Sequence, residues 1–156
     1  MNSTSRELLT ATEDTFKAAM RLVLQPVALL ACEEQDNRIT SCVVNTVFPV
    51  SVEVPSIGVS LECGTRSCKA ILEAEKYWVS FFSSDESKRM HRVAAAASDD
   101  RFSEAGLPDE RGLPMMTSAA VAFECRRLTE FAAFDHFIIL GEVLSIRMGE
   151  DKCLSV

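Results

Sequence analysis

Segments rich in β-branched and aromatic residues outnumber helical ones in this chain of 156 residues, and the helices fall between them without the strict alternation of a doubly wound sheet. That order predicts a mainly β fold with peripheral helices: a closed or nearly closed barrel, one domain over residues 1–156 with a flexible segment at 1–11. Phe16, Met20, Val23 and Leu24 recur at helical spacing within 12–24, and Pro26 closes that segment. Two apolar runs, 27–32 and 39–48, flank the polar EEQDNR and read as strands joined by a hairpin. Pro49 and Pro55 break the chain before a short strand at 57–61, after which Cys63-Gly64-Thr65 turns into the helix SCKAILEAEK. A buried strand follows at 77–82, then a helix at 85–97 and an irregular segment at 98–114 long enough to be a binding loop or lid. Two long strands, 119–128 and 137–148, are separated by TEFAAFDH.

Composition excludes several classes. A net charge of -7 and a pI near 4.9, with no run of Lys or Arg to offset them, would repel nucleic acid and anionic lipid. The six cysteines form no C-x-x-C pair and only two histidines are available to join them, so scattered reduced thiols are expected rather than a disulfide framework or a metal site. No apolar stretch approaches the roughly 20 residues that span a bilayer, and MNSTSRELLTATEDTF has neither a basic start nor an apolar core, which places the protein in the cytoplasm. An apolar fraction of 47% and a mean hydropathy of +0.10 suit a homo-oligomer. The absence of G-x-G-x-x-G, with six glycines in all, argues against a Rossmann nucleotide site.

The informative segment is SCVVNTVFPVSVEVPSIGVSLECGTRSCKAI, residues 41–71. Hydroxyls at Thr65 and Ser67, the N–H groups of a helix start, and the cations Arg66 and Lys69 suit a phosphate dianion without a glycine-rich loop; the same residues also suit plain N-capping with a solvated arginine. Asn45 and Thr46 interrupt a run of valines and need polar partners, which a ligand, neighbouring backbone or water can supply.

In order and spacing this segment resembles the short-chain flavin reductases, the FMN-binding split-barrel proteins that supply reduced flavin to two-component monooxygenases. The resemblance rests on Asn45-Thr46, the turn from Val50 to Pro55, Val59-Ser60-Leu61 and Thr65-Arg66-Ser67, and it extends to FKAAMRLV, Asp100-Arg101-Phe102, Leu113-Pro114, Phe123-Glu124-Cys125 and DHFIILGEV. It implies an NAD(P)H-dependent flavin reductase using FMN or FAD, a homodimer with a flavin-dependent monooxygenase partner. It further implies that Asn45, Thr46 and the backbone of Glu62, Cys63 and Gly64 meet the flavin ring, and that Thr65, Arg66, Ser67 and Lys69 hold its phosphate. Arg101 and Phe102 would come from a covering loop, and His136 would be the catalytic residue on the nicotinamide side. His91, in the helical run, is read as solvated.

Some positions depart from the family pattern. Gln25-Pro26-Val27 stands for Thr-Gly-Val, Ser41-Cys42-Val43 for Gly-x-Thr, Pro49 for a Ser or Thr, and Phe134 for the Gly of Gly-Asp-His, where its bulk would narrow the nicotinamide approach. These changes leave two other readings open. One is a cofactor-independent cyclase or isomerase with a cavity lined by Val43, Val44, Phe48 and Phe134; the other is a non-catalytic flavin-binding protein.

Overall fold

The structure is a computed structural model that describes residues 8–109 and 111–156. Seven strands form one antiparallel sheet: β1 (Ala28–Glu33), β2 (Ile39–Val44), β3 (Val47–Ser51), β4 (Ser56–Glu62), β5 (Lys76–Phe81), β6 (Val121–Ala133) and β7 (His136–Met148). Their spatial order is β2-β1-β5-β6-β7-β4-β3, so the two edge strands, β2 and β3, are neighbours in sequence. Ala28, Leu30, Cys32, Ile57, Val59, Tyr77, Val79, Phe81, Cys125 and Ile139 fill a single buried cluster, with Cys42, Val44 and Val47 from the edge strands against it. Side chains from every strand therefore meet in one interior. The sheet has curled into a barrel, and its seam lies where Asn45 and Thr46 carry the chain from β2 to β3.

Strands β1 and β5 read as continuous apolar runs because both their faces are covered. In β1, Ala28, Leu30 and Cys32 face the barrel interior, whereas Leu29 and Ala31 join Trp78, Phe82, Met90, Val93 and Met116 in a second cluster outside it. The lids of that outer cluster are α3 (Ser87–Ala95), α4 (Ser98–Glu104) and the segment to Ala119. A half-solvated strand would alternate; one buried on both faces cannot.

Helix α2 (Arg66–Glu73) begins at the end of β4, with the Thr65 hydroxyl accepting from Cys68 N at 3.2 Å. Its buried face, Cys68, Ala70 and Ile71, contributes to the interior cluster, and the helix packs on β1, β2 and β4 across the seam. Helix α1 (Glu13–Met20) behaves differently. Thr12 and Thr15 make a reciprocal capping box, yet the helix buries none of its residues.

Five expectations need correction. The opening helix stops at Met20 rather than 24, the run 39–48 is two strands rather than one, and Pro49 sits inside β3, which tolerates it as an edge strand. Residues 98–104, read as irregular, are helical. The stretch TEFAAFDH does not separate two strands, because β6 runs on to Ala133 and meets His136 across a two-residue turn of Phe134 and Asp135. Of the segment expected to be flexible, residues 1–7 lie outside the described residues.

Candidate active site

The sequence places its polar candidates on separate elements; the barrel gathers a subset at the β4–α2 turn. Glu62 ends β4 directly opposite His136, the first residue of β7, and Cys63 N donates to Asp135 O at 2.8 Å. His136 Nδ1 lies 2.8 Å from Asp135 Oδ1, and this hydrogen bond is the first reason the exposed Asp135 carboxyl sits below its usual range. Asp135 thus fixes the orientation of the half-buried imidazole. Gly64 adopts φ +80°, with open space where a side chain would project, so a planar group can approach this backbone closely. Thr65 donates to Glu62 O at 3.0 Å while capping α2, which ties the helix start to the strand end. Thr46 prolongs the β3–β4 register, its hydroxyl donating to Ser60 O at 2.8 Å. Backbone is therefore the partner that polar residue required.

Arg66 and Phe102 line one cleft of about 500 Å³ with Glu33, Arg38 and Ile39. Glu34, which lines the neighbouring cleft, pairs with two of these residues: Oε1 accepts from Arg66 Nη2 at 3.2 Å, Oε2 lies 3.5 Å from Arg38 Nη2, and Thr40 also donates to Oε1. The Thr40 hydrogen bond, followed by those cations, holds the Glu34 carboxyl below its ordinary range. The wider neighbouring cleft, about 640 Å³, is walled by Glu33, Glu34, Asp36, Glu73 and Glu75, which would repel phosphate.

Other candidates lie elsewhere. Asn45 opens into a separate cleft of about 430 Å³ beside Phe16 and Met20 of α1. The Ser67 hydroxyl is hydrogen-bonded to the Cys42 thiol, while Lys69 is exposed on the outer side of α2. Arg101 is committed to three backbone carbonyls, Ser41 at 2.8 Å, Ala96 at 3.1 Å and Val93 at 3.2 Å, so it clamps α3 and α4 against β2. His91 is exposed, its Nδ1 2.7 Å from Ser87 O. The apolar cavity expected of a cyclase or isomerase is not assembled: Val44 packs on the interior cluster, Val43 on the outer one, and the Phe134 ring is fully exposed at the hairpin tip.

Sequence reasoning missed Arg38 and Glu34. Both belong to EEQDNR, which reads as a solvated hairpin; only the packing of α2 over β1 and β2 brings that hairpin to Arg66.

The site sits at one end of a seven-stranded antiparallel split barrel. Residues 20–154 match the family model described as a flavin reductase like domain, and the chain belongs to that family. An NADH:riboflavin 5'-phosphate oxidoreductase of Streptomyces pristinaespiralis is 27% identical over 138 residues, which are 87% of this chain and 78% of the relative. The FMN reductase (NADH) SmoA of Agrobacterium fabrum (strain C58) is 32% identical over 117 residues, 72% of this chain and 65% of SmoA. The styrene monooxygenase flavin reductase of Pseudomonas putida S12 superposes with a TM-score of 0.76 at 22% identity, over 90% of each chain. That last likeness is one of fold.

Proposed function

We propose that this chain is an NAD(P)H-dependent flavin reductase that supplies reduced FMN or FAD to a flavin-dependent monooxygenase. The carrying observation is the convergence of His136, the open Gly64 backbone and the Thr65–Arg66 helix start on one end of the barrel of a flavin reductase family member. A bound flavin supplies the two-electron acceptor for hydride from the nicotinamide; the protein contributes alignment and fixed dipoles. Arg66 supplies the positive charge facing the flavin phosphate at the α2 start, where Ser67 offers its backbone N–H because its hydroxyl is turned to Cys42; Thr65 caps the helix, and Lys69 on its outer side adds only a more distant charge. The backbone of Glu62, Cys63 and Gly64 meets the ring edge, with Thr46 holding the adjoining strand in register. Asn45, which opens toward α1, takes no part in that contact. Phe102 covers the ligand from α4, and Arg101 acts beneath it as a positioning residue. His136, held by Asp135, orients the nicotinamide and moves the accompanying proton.

The protein works as a cytoplasmic homodimer. Support comes from α1 and its trailing segment, where Phe16, Leu22, Val23 and Leu24 remain exposed in the single chain.

Titration with FMN followed by NADH oxidation tests the reading. Arg66→Ala is expected to weaken FMN by roughly tenfold to a hundredfold, the worth of one hydrogen bond to a charged group, and to leave riboflavin unchanged. Equal losses for the two ligands would remove the phosphate assignment, and a wild-type protein binding neither would remove the function.

A further inference from the structure

We propose that the acidic cleft between the β1–β2 hairpin and the end of α2 is a docking groove for a lysine- or arginine-bearing segment of a partner protein. This goes beyond the flavin reductase reading and does not depend on it.

Five carboxylates line this space of about 640 Å³: Glu33, Glu34 and Asp36 from the hairpin, Glu73 from the last turn of α2 and Glu75 from the turn into β5. Glu34 is met by Arg66 and Asp36 by Arg38. Glu33, Glu73 and Glu75 are exposed and pair with no cation among the described residues, while the ammonium of Lys76, which also lines the cleft, is held by Glu124 at 3.0 Å. Like charges around one cavity repel one another. Glu73 also adds to the negative end of a helix that has no basic residue in its last turn, the reverse of what a helix end favours. A cation entering the cleft relieves both.

Trp78 decides what carries that cation. It lines the cleft and is 7% exposed, yet its indole N–H has no acceptor among the described residues. A fully protonated polyamine offers donors alone and leaves that N–H unmet. A peptide brings backbone carbonyls together with its ammonium or guanidinium groups, and the indole face attracts those cations as well. The groove shares Glu33 and Asn37 with the cleft that Arg66 lines, so a partner seated in it stands beside the β4–α2 turn.

Trp78 is the single tryptophan of the chain, and its emission therefore reports from the wall of the groove. Titrating the full chain at low salt with an end-blocked peptide of alternating lysine and alanine is expected to give a saturable change in that emission, weakening as salt is raised. The same peptide with its lysines acetylated should leave the emission unmoved. Glu73→Gln combined with Glu75→Gln, both at exposed positions, is expected to weaken the peptide by about fivefold or more, with FMN affinity and NADH oxidation as in the wild type. Absence of a saturable change in the wild type overturns the proposal. So does an unchanged peptide affinity in the double variant, which would put the peptide elsewhere on an acidic surface, and so does spermidine binding as tightly as the peptide, which would make the groove a polyamine site. A wild type that binds the peptide but no flavin leaves the groove standing and removes the flavin reductase reading alone.

Discussion

Tyr77 is fully buried in the barrel, yet its hydroxyl has no hydrogen-bond partner among the described residues, and the space it occupies exists because residue 141 on β7 carries no side chain. A Cβ at 141 would overlap the hydroxyl and stand 2.8 Å from Cζ. Burial is the first cause pushing the phenol pKa well above its ordinary value, so the ring stays neutral. Gly141→Ala is therefore expected to destabilise the protein by about 1–3 kcal/mol in urea unfolding, as overpacking does. The loss should shrink in a Tyr77→Phe background, and a non-additive double-mutant cycle is the measurement that checks it. The sequence marks Tyr77 as a buried strand residue but gives no sign of its dependence on Gly141, because the two positions meet only through tertiary packing. Phe134 is the converse case. Its φ of 55° occupies the left-handed region that glycine fills readily, which explains physically why the family pattern has Gly there.

At the scale of an element, one buried carboxylate ties Arg111 and Leu113 to β7. Asp109 accepts from Arg111 N at 2.9 Å, Leu113 N at 3.0 Å and Arg111 Nη2 at 3.0 Å, with Arg147 of β7 at 3.7 Å. Burial opposes its ionisation, but these hydrogen bonds and the guanidinium together hold its pKa below the usual range. A depressed folded pKa means that the contribution is complete above the unfolded value, near 4, and is lost as pH falls through the folded one. Asp109→Asn is expected to lower Tm at pH 7, and the difference from wild type should narrow progressively below about pH 4. A difference independent of pH in thermal melts would show that the charge is not what holds this segment. Its path was not legible in SDDRFSEAGLPDERGLP, where Gly and Pro signal irregularity while the anchor, Arg147, lies far along the chain. The short helix α4 was hidden for a related reason: its stability comes from packing over β2 and from the Arg101 clamp rather than from its own composition.

For the whole molecule, one chain leaves its α1 helix without a buried face, with Phe16 at 64% and Leu24 at 78% exposure, although Phe16, Met20, Val23 and Leu24 were expected to pack at helical spacing. The proposed homodimer would cover that surface with a second copy. Sedimentation at micromolar concentration is expected to show a dimer, and Phe16→Glu together with Leu24→Glu should shift it to a monomer without melting the barrel; a wild-type monomer would refute the assembly. The succession of apolar runs along the chain, the burial of the strand at 77–82 and the Thr65 cap were determined by the sequence itself, although 39–48 read as one strand. Hydrophobic runs, turn residues and caps act over a few neighbours, and a local reading can use them. What only the tertiary structure decided is the grouping: His136 against Glu62, Arg38 against Arg66, Arg101 withdrawn into a clamp, and the barrel seam at Asn45 and Thr46. Each depends on which distant strands pair and where α2 crosses the seam, and those non-local contacts are fixed by the packing of the whole interior.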